Sequence, residues 1–331
     1  MSIRKGCAML RAAVMAAVMA AAAMSVGTTA AHAADWPVRP IKLVVPFSAG
    51  GQLDGMTRIF ATGLSEHVKQ PVVVENRPGA GGVIGSDAVV RGDADGYTFL
   101  VAGNGAITNK LLRSNMPYAD TELVPVGLLF ESSSIIVVSA KSDIHTLTDW
   151  QKKSTSGAHP ILFATAGTGS TGHFVGEMLG QALNVPVTIV PYKSGSESSA
   201  ALMGGQVDAA SEASVSIRGY VASGRVRALA ATADHRSPIL PDTPTTAEQG
   251  FPAINITHWG GMYAPKATDP AVIEAMNRAI DQVMKMPEVK KQLVDAGYEP
   301  IPGTVDHFKA FIAEENTRLG NIVKTAKMKA D

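Results

Sequence analysis

Short, uninterrupted apolar runs rich in β-branched residues recur along the chain, separated by stretches of helical periodicity. They are IKLVVPF (41–47), PVVVE (71–75), YTFLVAG (97–103), PVGLLF (125–130), SIIVVSA (134–140), PILFATA (160–166), PVTIV (186–190), VDAAS (207–211), RALAATA (227–233) and ITHWGGMYA (256–264). A strand with one wet face alternates apolar and polar residues, and most of these do not. They predict strands buried on both faces, as in parallel sheets covered by helices. Residues 53–68 predict one such helix, with Met56, Ile59, Phe60, Leu64 and Val68 on a single face. The C-terminus turns fully helical. Asp269 suits an N-cap and Pro270 the first helical position, with Val272, Ile273, Met276, Ile280 and Val283 as the apolar stripe. A second helix, 287–296, stops at Gly297. Thr304 caps a third, with Val305, Phe308, Phe311, Ile312, Leu319 and Ile322 facing inward. No repeat or low-complexity linker interrupts the pattern.

The first residues carry a different message. Arg4, Lys5 and Arg11 precede an uncharged apolar core from Ala12 to Val26, and AHA at 31–33 offers a small-x-small cleavage site. Residues 1–33 therefore predict a secretory signal peptide and a periplasmic destination. Cys7 is the only cysteine and lies before the apolar core, so it cannot anchor a lipid. Cleavage leaves no thiol, which excludes cysteine catalysis, cysteine zinc sites and iron–sulfur clusters. It also removes three basic residues, leaving 26 against 29 acidic ones, a net charge of −3. That gives no support to nucleic-acid or anionic-membrane binding. No other segment is long and apolar enough to cross a membrane.

Open α/β sheets bind ligands beyond the carboxyl ends of their strands. Three loops at such ends are rich in glycine and poor in charge: SAGGQLD (48–54), NRPGAGGVIGSD (76–87) and AGTGSTG (166–172). Each offers free backbone N–H groups at a helix start, an anion site made without lysine or arginine. The last loop spells G-x-G-x-x-G at Gly167–Gly172. A dinucleotide site also needs an acidic residue closing the next strand, to hold the ribose. That strand runs into Pro191-Tyr192-Lys193-Ser194, with no such residue. What remains is a glycine turn that packs a helix onto the sheet, or a small-anion site. No cofactor and no metal is called for.

Hydrolytic signals are poor. The chain has neither G-x-S-x-G nor H-E-x-x-H. His173 reads as a helix-start residue bonded to nearby backbone. Asp54 and Glu212 offer a pairing across a cleft as acid and base, although single carboxylates at strand–helix junctions more often act as caps. Trp259 and Tyr192 read as core or rim residues. Phe47, directly before a glycine loop, is the better cleft wall.

Taken in order, the segments WPVRPIKLVVPFSAGGQLD, QPVVVENRPGAGGVIGSD, DGYTFLVAGNG, FATAGTGSTGHFVGEML, VPYKSGSESSAALMGGQVDAA, GRVRALAAT, SPILPDTPTTAEQGF and WGGMYAPKATDP resemble the solute receptors of tripartite tricarboxylate transporters, the Bug proteins. The resemblance covers essentially everything after the signal segment. It implies an α/β, two-lobed, type II periplasmic-binding-protein fold with the ligand cleft between lobes. The chain would cross between lobes near 131–135 and 254–260, making lobe 1 from 35–133 plus 257–331 and lobe 2 from 134–256. It implies a monomeric receptor, without catalysis, for a small carboxylate delivered to a membrane permease. Two alternatives stay open: a sensory receptor that signals to a kinase, and an exported hydrolase using Asp54 and Glu212.

The resemblance also implies which residues bind. One jaw is Phe47, Ser48, Ala49, Gly50, Gly51 and Asp54; the other is Ala166, Gly167, Thr168, Gly169 and Ser170, whose hydroxyls at Thr168 and Ser170 add donors. Val83, Asn104, Tyr192 and Glu212 complete the set. Three positions depart from the family pattern. Ser48-Ala49 stands where proline is common, Val83 where asparagine is common, and Glu212 where aspartate is frequent. A cleft-facing Glu212 would repel a second carboxylate. The expected ligand then has one tightly held carboxylate and a neutral or cationic far end.

Overall fold

The apolar runs become strands because helices cover them on both sides. The structure, a computed structural model, describes residues 36–155 and 159–329. The expected signal segment, with Cys7, lies outside the described residues. Residues Arg39–Asp331 form one unit. In chain order its elements are β1 (Ile41–Val45), α1 (Gln52–Val68), β2 (Val72–Asn76), α2 (Val83–Val90), β3 (Thr98–Gly103), α3 (Gly105–Leu112) and the long β4 (Leu123–Ser139). Then come α4 (Leu147–Thr155), β5 (Ile161–Thr165), α5 (Thr171–Leu183), β6 (Val187–Pro191), α6 (Gly195–Met203), β7 (Ala209–Ala213), α7 (Ser214–Ala222) and β8 (Val226–Ala231). The chain closes with β9 (Thr257–Pro265), α8 (Pro270–Lys285), α9 (Pro287–Asp295), the short β10 (Glu299–Pro300) and α10 (Val305–Ala326).

The strands run in the order β2-β1-β3-β9-β4-β7-β5-β6, with β8 and β10 also paired to β4. Two parallel trios, β2-β1-β3 and β6-β5-β7, flank the antiparallel strands β9 and β4. The sheet is therefore mixed rather than wholly parallel. Double-sided burial is what the sequence reports, and strand direction leaves no mark on it. Central β3 and β7 are almost entirely buried, while the edge strands β2 and β6 are half exposed.

The runs at 125–130 and 134–140 are not two strands. They are one, joined through Glu131-Ser132-Ser133, whose polar residues look like a turn in sequence. Here Ser132 and Ser134 find partners inside the protein. Ser132 Oγ lies 3.0 Å from Ser214 Oγ and donates to Gly297 O at 3.2 Å, and Ser134 Oγ lies 2.8 Å from Ser211 Oγ. The first part of β4, through Ser133, pairs with β9, and from Ser134 onward it pairs with β7 and β8. One strand thus belongs to two sheets.

The expected helix caps are in place. Asp269 Oδ1 accepts from Ala271 N at 2.8 Å, and Thr304 Oγ1 accepts from His307 N at 3.1 Å. Helix α10 is fastened to β9 through aromatic edges: Trp259 meets Phe311 at 5.2 Å between ring centroids, and Phe308 meets Tyr263 at 5.2 Å. Trp259 is therefore a core residue. Burial of a side chain such as Phe308 stabilises by about 2–3 kcal/mol.

Candidate ligand-binding site

The first glycine loop follows β1 and is held from below by Asp54. Gly50 N donates to Asp54 Oδ2 at 2.8 Å, Arg58 Nε donates to the same oxygen at 3.0 Å, and Asn76 Nδ2 donates to Oδ1 at 2.9 Å. Asn76 Nδ2 also donates to Phe47 O at 3.0 Å. Burial works to raise the Asp54 pKa, but the bonds from Arg58, Gly50 and Asn76 outweigh it and hold the carboxyl below its ordinary range. Asp54 is 2% exposed and acts as the lock of the loop. Both its oxygens are engaged, so it is not offered to a reactant as a base. Above it Phe47, Ser48, Ala49, Gly50 and Gly51 are exposed.

The second loop leans on α3. Asn109 Nδ2 donates to Gly81 O at 2.8 Å, and Arg113 Nε donates to Asn109 Oδ1 at 3.2 Å. Val83, at the start of α2, is buried. Asn104 begins α3, but its side chain serves β9: Nδ2 donates to Thr257 O at 3.1 Å and Oδ1 accepts from Trp259 N at 3.3 Å.

Three helix starts in this half lack a side-chain cap: α1 at Gly51, α2 at Gly82 and α3 at Asn104. Their first-turn N–H groups carry partial positive charge, concentrated where the glycines leave the backbone bare. A narrow crevice lies at the starts of α2 and α3, lined by Phe47, Gly82, Gly103, Gly105 and Asn109. A wider groove of about 520 Å³ runs along the outer edge between α1 and β2, lined by Arg58, Thr62, Ser65 and Val74. None of its lining residues belongs to a glycine loop. Size alone favours the groove, but the crevice is the one bordered by glycine-loop residues and by the starts of α2 and α3, so the crevice is the candidate site.

The third loop reaches α3 from the other half. A side-chain carbon at Gly169 would fall 2.7 Å from Leu112 Cδ1, and the residue's φ of +80° is itself a left-handed conformation. Only glycine brings the two halves this close here. Gly169 N donates to His173 Nδ1 at 3.1 Å, so His173 is the backbone-bonded helix-start residue expected from its position. Ser170 Oγ accepts from His173 N at 3.3 Å and caps α5. Ala166, Gly167 and Ser170 are half-buried and Thr168 is exposed. Half-buried Tyr192 follows β6, where its N–H donates to Thr165 O at 2.9 Å.

Glu212 lies in β7 and is 8% exposed. Burial pushes its carboxyl up to about 7, against the smaller pull of the Ser198 hydroxyl. The charge repulsion expected from the sequence is therefore complete only above neutral pH, since the protonated acid carries no charge.

Sequence reasoning missed Arg58, Asn76 and Asn109, which support the loops, and Ser198 beside Glu212. Arg58 had a readable signal, the i,i+4 spacing from Asp54 on one helix face. The others come together only through strand order.

Two α/β halves joined by shared strands, with bare helix starts and glycine loops at their junction, define a two-lobed solute-binding protein. Residues 56–328 match the tripartite tricarboxylate transporter family receptor, TctC. The chain is 35% identical to Protein BugT of Bordetella pertussis over 92% of this chain and 95% of that protein. It is similar in structure to R. palustris Rpa4515 with adipate (29% identity, TM-score 0.81, 89% of this chain and 99% of that one). It is also similar to MatC from Rhodopseudomonas palustris with bound malate (27% identity, TM-score 0.76, 87% and 100%). The chain belongs to the tripartite tricarboxylate transporter receptor family, a family of substrate-binding receptors.

Proposed function

We propose that this protein is a periplasmic receptor that closes on a small carboxylate and presents it to a tripartite tricarboxylate-type membrane transporter. The observation that carries this reading is the pair of helix starts without side-chain caps, α2 and α3, that border the crevice beside the first glycine loop. A helix N-terminus stabilises an anion without a cationic side chain. The adipate and malate in the two solved relatives support the ligand class.

In this reading residues 35–133 plus 257–331 form one lobe and 134–256 the other, with residues 1–33 removed on export. Phe47, Ser48, Ala49, Gly50 and Gly51 form one jaw; Ala166, Gly167, Thr168, Gly169 and Ser170 form the other. Asp54 acts from behind by fixing the loop. The receptor works as a monomer and binds without turnover, because Asp54, the acid/base candidate of the first jaw, is already saturated by donors.

A thermal-shift screen of carboxylates on the chain without residues 1–33 tests this. Ligand at a hundred times its Kd adds about 2.7 kcal/mol of stability, several degrees in Tm. A matching carboxylate is expected to give that shift unchanged in mass, and Gly169→Leu to abolish it. A screen without any stabilising carboxylate, or one whose best ligand is hydrolysed, overturns the reading.

A further inference from the structure

Glu212 is a buried carboxyl without a structural task. Its Oε1 is shielded from solvent and makes no hydrogen bond, and Ser198 Oγ of α6 is near enough to pull on its titration but out of hydrogen-bonding geometry. Ser198 is fully buried and Glu212 nearly so. Leaving such groups unpaired is unfavourable, by about 1–3 kcal/mol each. The natural structural explanation would be that Glu212 caps α6, whose first residue, Gly195, lies against it. A side-chain carbon at Gly195 would sit 2.3 Å from Glu212 Oε2, so glycine is what leaves room for the carboxyl. Yet the start of α6 is already served. Ser194 Oγ accepts from Glu197 N at 3.2 Å as the N-cap, and Glu197 Oε2 accepts from Lys193 N at 3.2 Å just before it.

Position supplies the missing task. Ala164 pairs with Ala210 across β5 and β7, and Thr165 with Pro191 across β5 and β6. Two residues beyond Ala210, Glu212 stands level with Ala166, the first residue of the third glycine loop. It therefore lies at the carboxyl ends of the parallel trio, where an open α/β sheet binds its ligand.

We propose that Glu212 and Ser198 form a second subsite, facing the anion crevice from the other lobe, that accepts a hydrogen-bond donor at the far end of the ligand. Resting on the receptor reading above, this narrows the ligand to hydroxy- or amino-monocarboxylates rather than dicarboxylates. Burial and Ser198 set the protonation of Glu212, with Ile135 of β4 and Gly195 of α6 as its uncharged neighbours. An ammonium end would hold it ionised, whereas a second carboxylate would require it protonated and would bind more weakly as pH rises.

The test is isothermal titration at pH 8 with two matched series: adipate, 6-hydroxyhexanoate and 6-aminohexanoate; succinate, 4-hydroxybutyrate and 4-aminobutyrate. A donor-ended member is expected to bind at least tenfold tighter than its dicarboxylate. Glu212→Met and Ser198→Ala should each remove that preference, with circular dichroism reporting the fold. Glu212→Gln separates the sources: it spares a hydroxyl end, because the amide oxygen still accepts, and fails an ammonium end. The wild-type comparison needs no variant to fold. A dicarboxylate bound as tightly as its analogues, or a preference indifferent to both substitutions, overturns the subsite while the receptor reading stands. So does failure of all six compounds when other carboxylates stabilise the protein. Failure of every carboxylate in the wider screen overturns both.

Discussion

His258 is partly buried between the crossing strands, and its Nε2 lies 3.2 Å from Ser134 Oγ. Desolvation pushes its pKa down to about 4, so the folded protein holds a neutral imidazole. The unfolded chain titrates near 6.5 and takes up a proton that the folded chain refuses. Stability from this residue is intact above about 6.5 and is lost as pH falls toward 4. Since part of the ring stays accessible, the loss is about 1–2 kcal/mol rather than the full value for complete burial. His258→Gln is expected to flatten the fall of Tm between pH 7 and 4.5, measured by calorimetry. An equally steep fall in the variant would assign the acid sensitivity elsewhere. Such a residue illustrates what composition hides. His258 looks ordinary in its strand, and only its burial in the folded protein gives it a titration of its own. Asp54 is similar. It was legible as a loop residue, but its role as lock depends on Asn76 arriving from β2.

Elements were more legible than their partners. Asp269, Thr304 and the helix periodicities are local, because a cap and a stripe are decided within a few residues. Thr304→Ala is expected to destabilise by about 1 kcal/mol, lowering Tm by a few degrees without changing ligand affinity in titration. A change in affinity instead would mean that α10 communicates with the cleft. The miss at β4 has the opposite cause. Ser132, Ser133 and Ser134 favour turns when their hydroxyls bond to nearby backbone. In the fold Ser132 and Ser134 bond to Ser214, Gly297 and Ser211 instead. Partners more than seventy residues away keep the strand continuous, and no window of sequence contains them.

At the scale of the whole molecule, β4 pairs with β9 in one sheet and with β7 and β8 in the other. A strand shared in this way lets two rigid halves change their angle while each keeps its own hydrogen bonds. Ligand affects that angle only through contacts that differ between open and closed forms. Small-angle scattering should therefore show a smaller radius of gyration when a saturating carboxylate is added. An unchanged radius with bound ligand would rule out closure as the binding step.

Alternating strands and helices, capped helix starts and bare glycine loops were determined by sequence alone, because each depends on neighbours within a turn or a pleat. The family pattern followed from their order. Strand direction, the continuity of β4, the lock beneath the first loop and the approach of Ser198 to Glu212 were decided by tertiary structure. These rest on which distant groups meet once water is removed. A hydroxyl or carboxyl has several possible partners in sequence, and only packing selects one or leaves it open for a ligand.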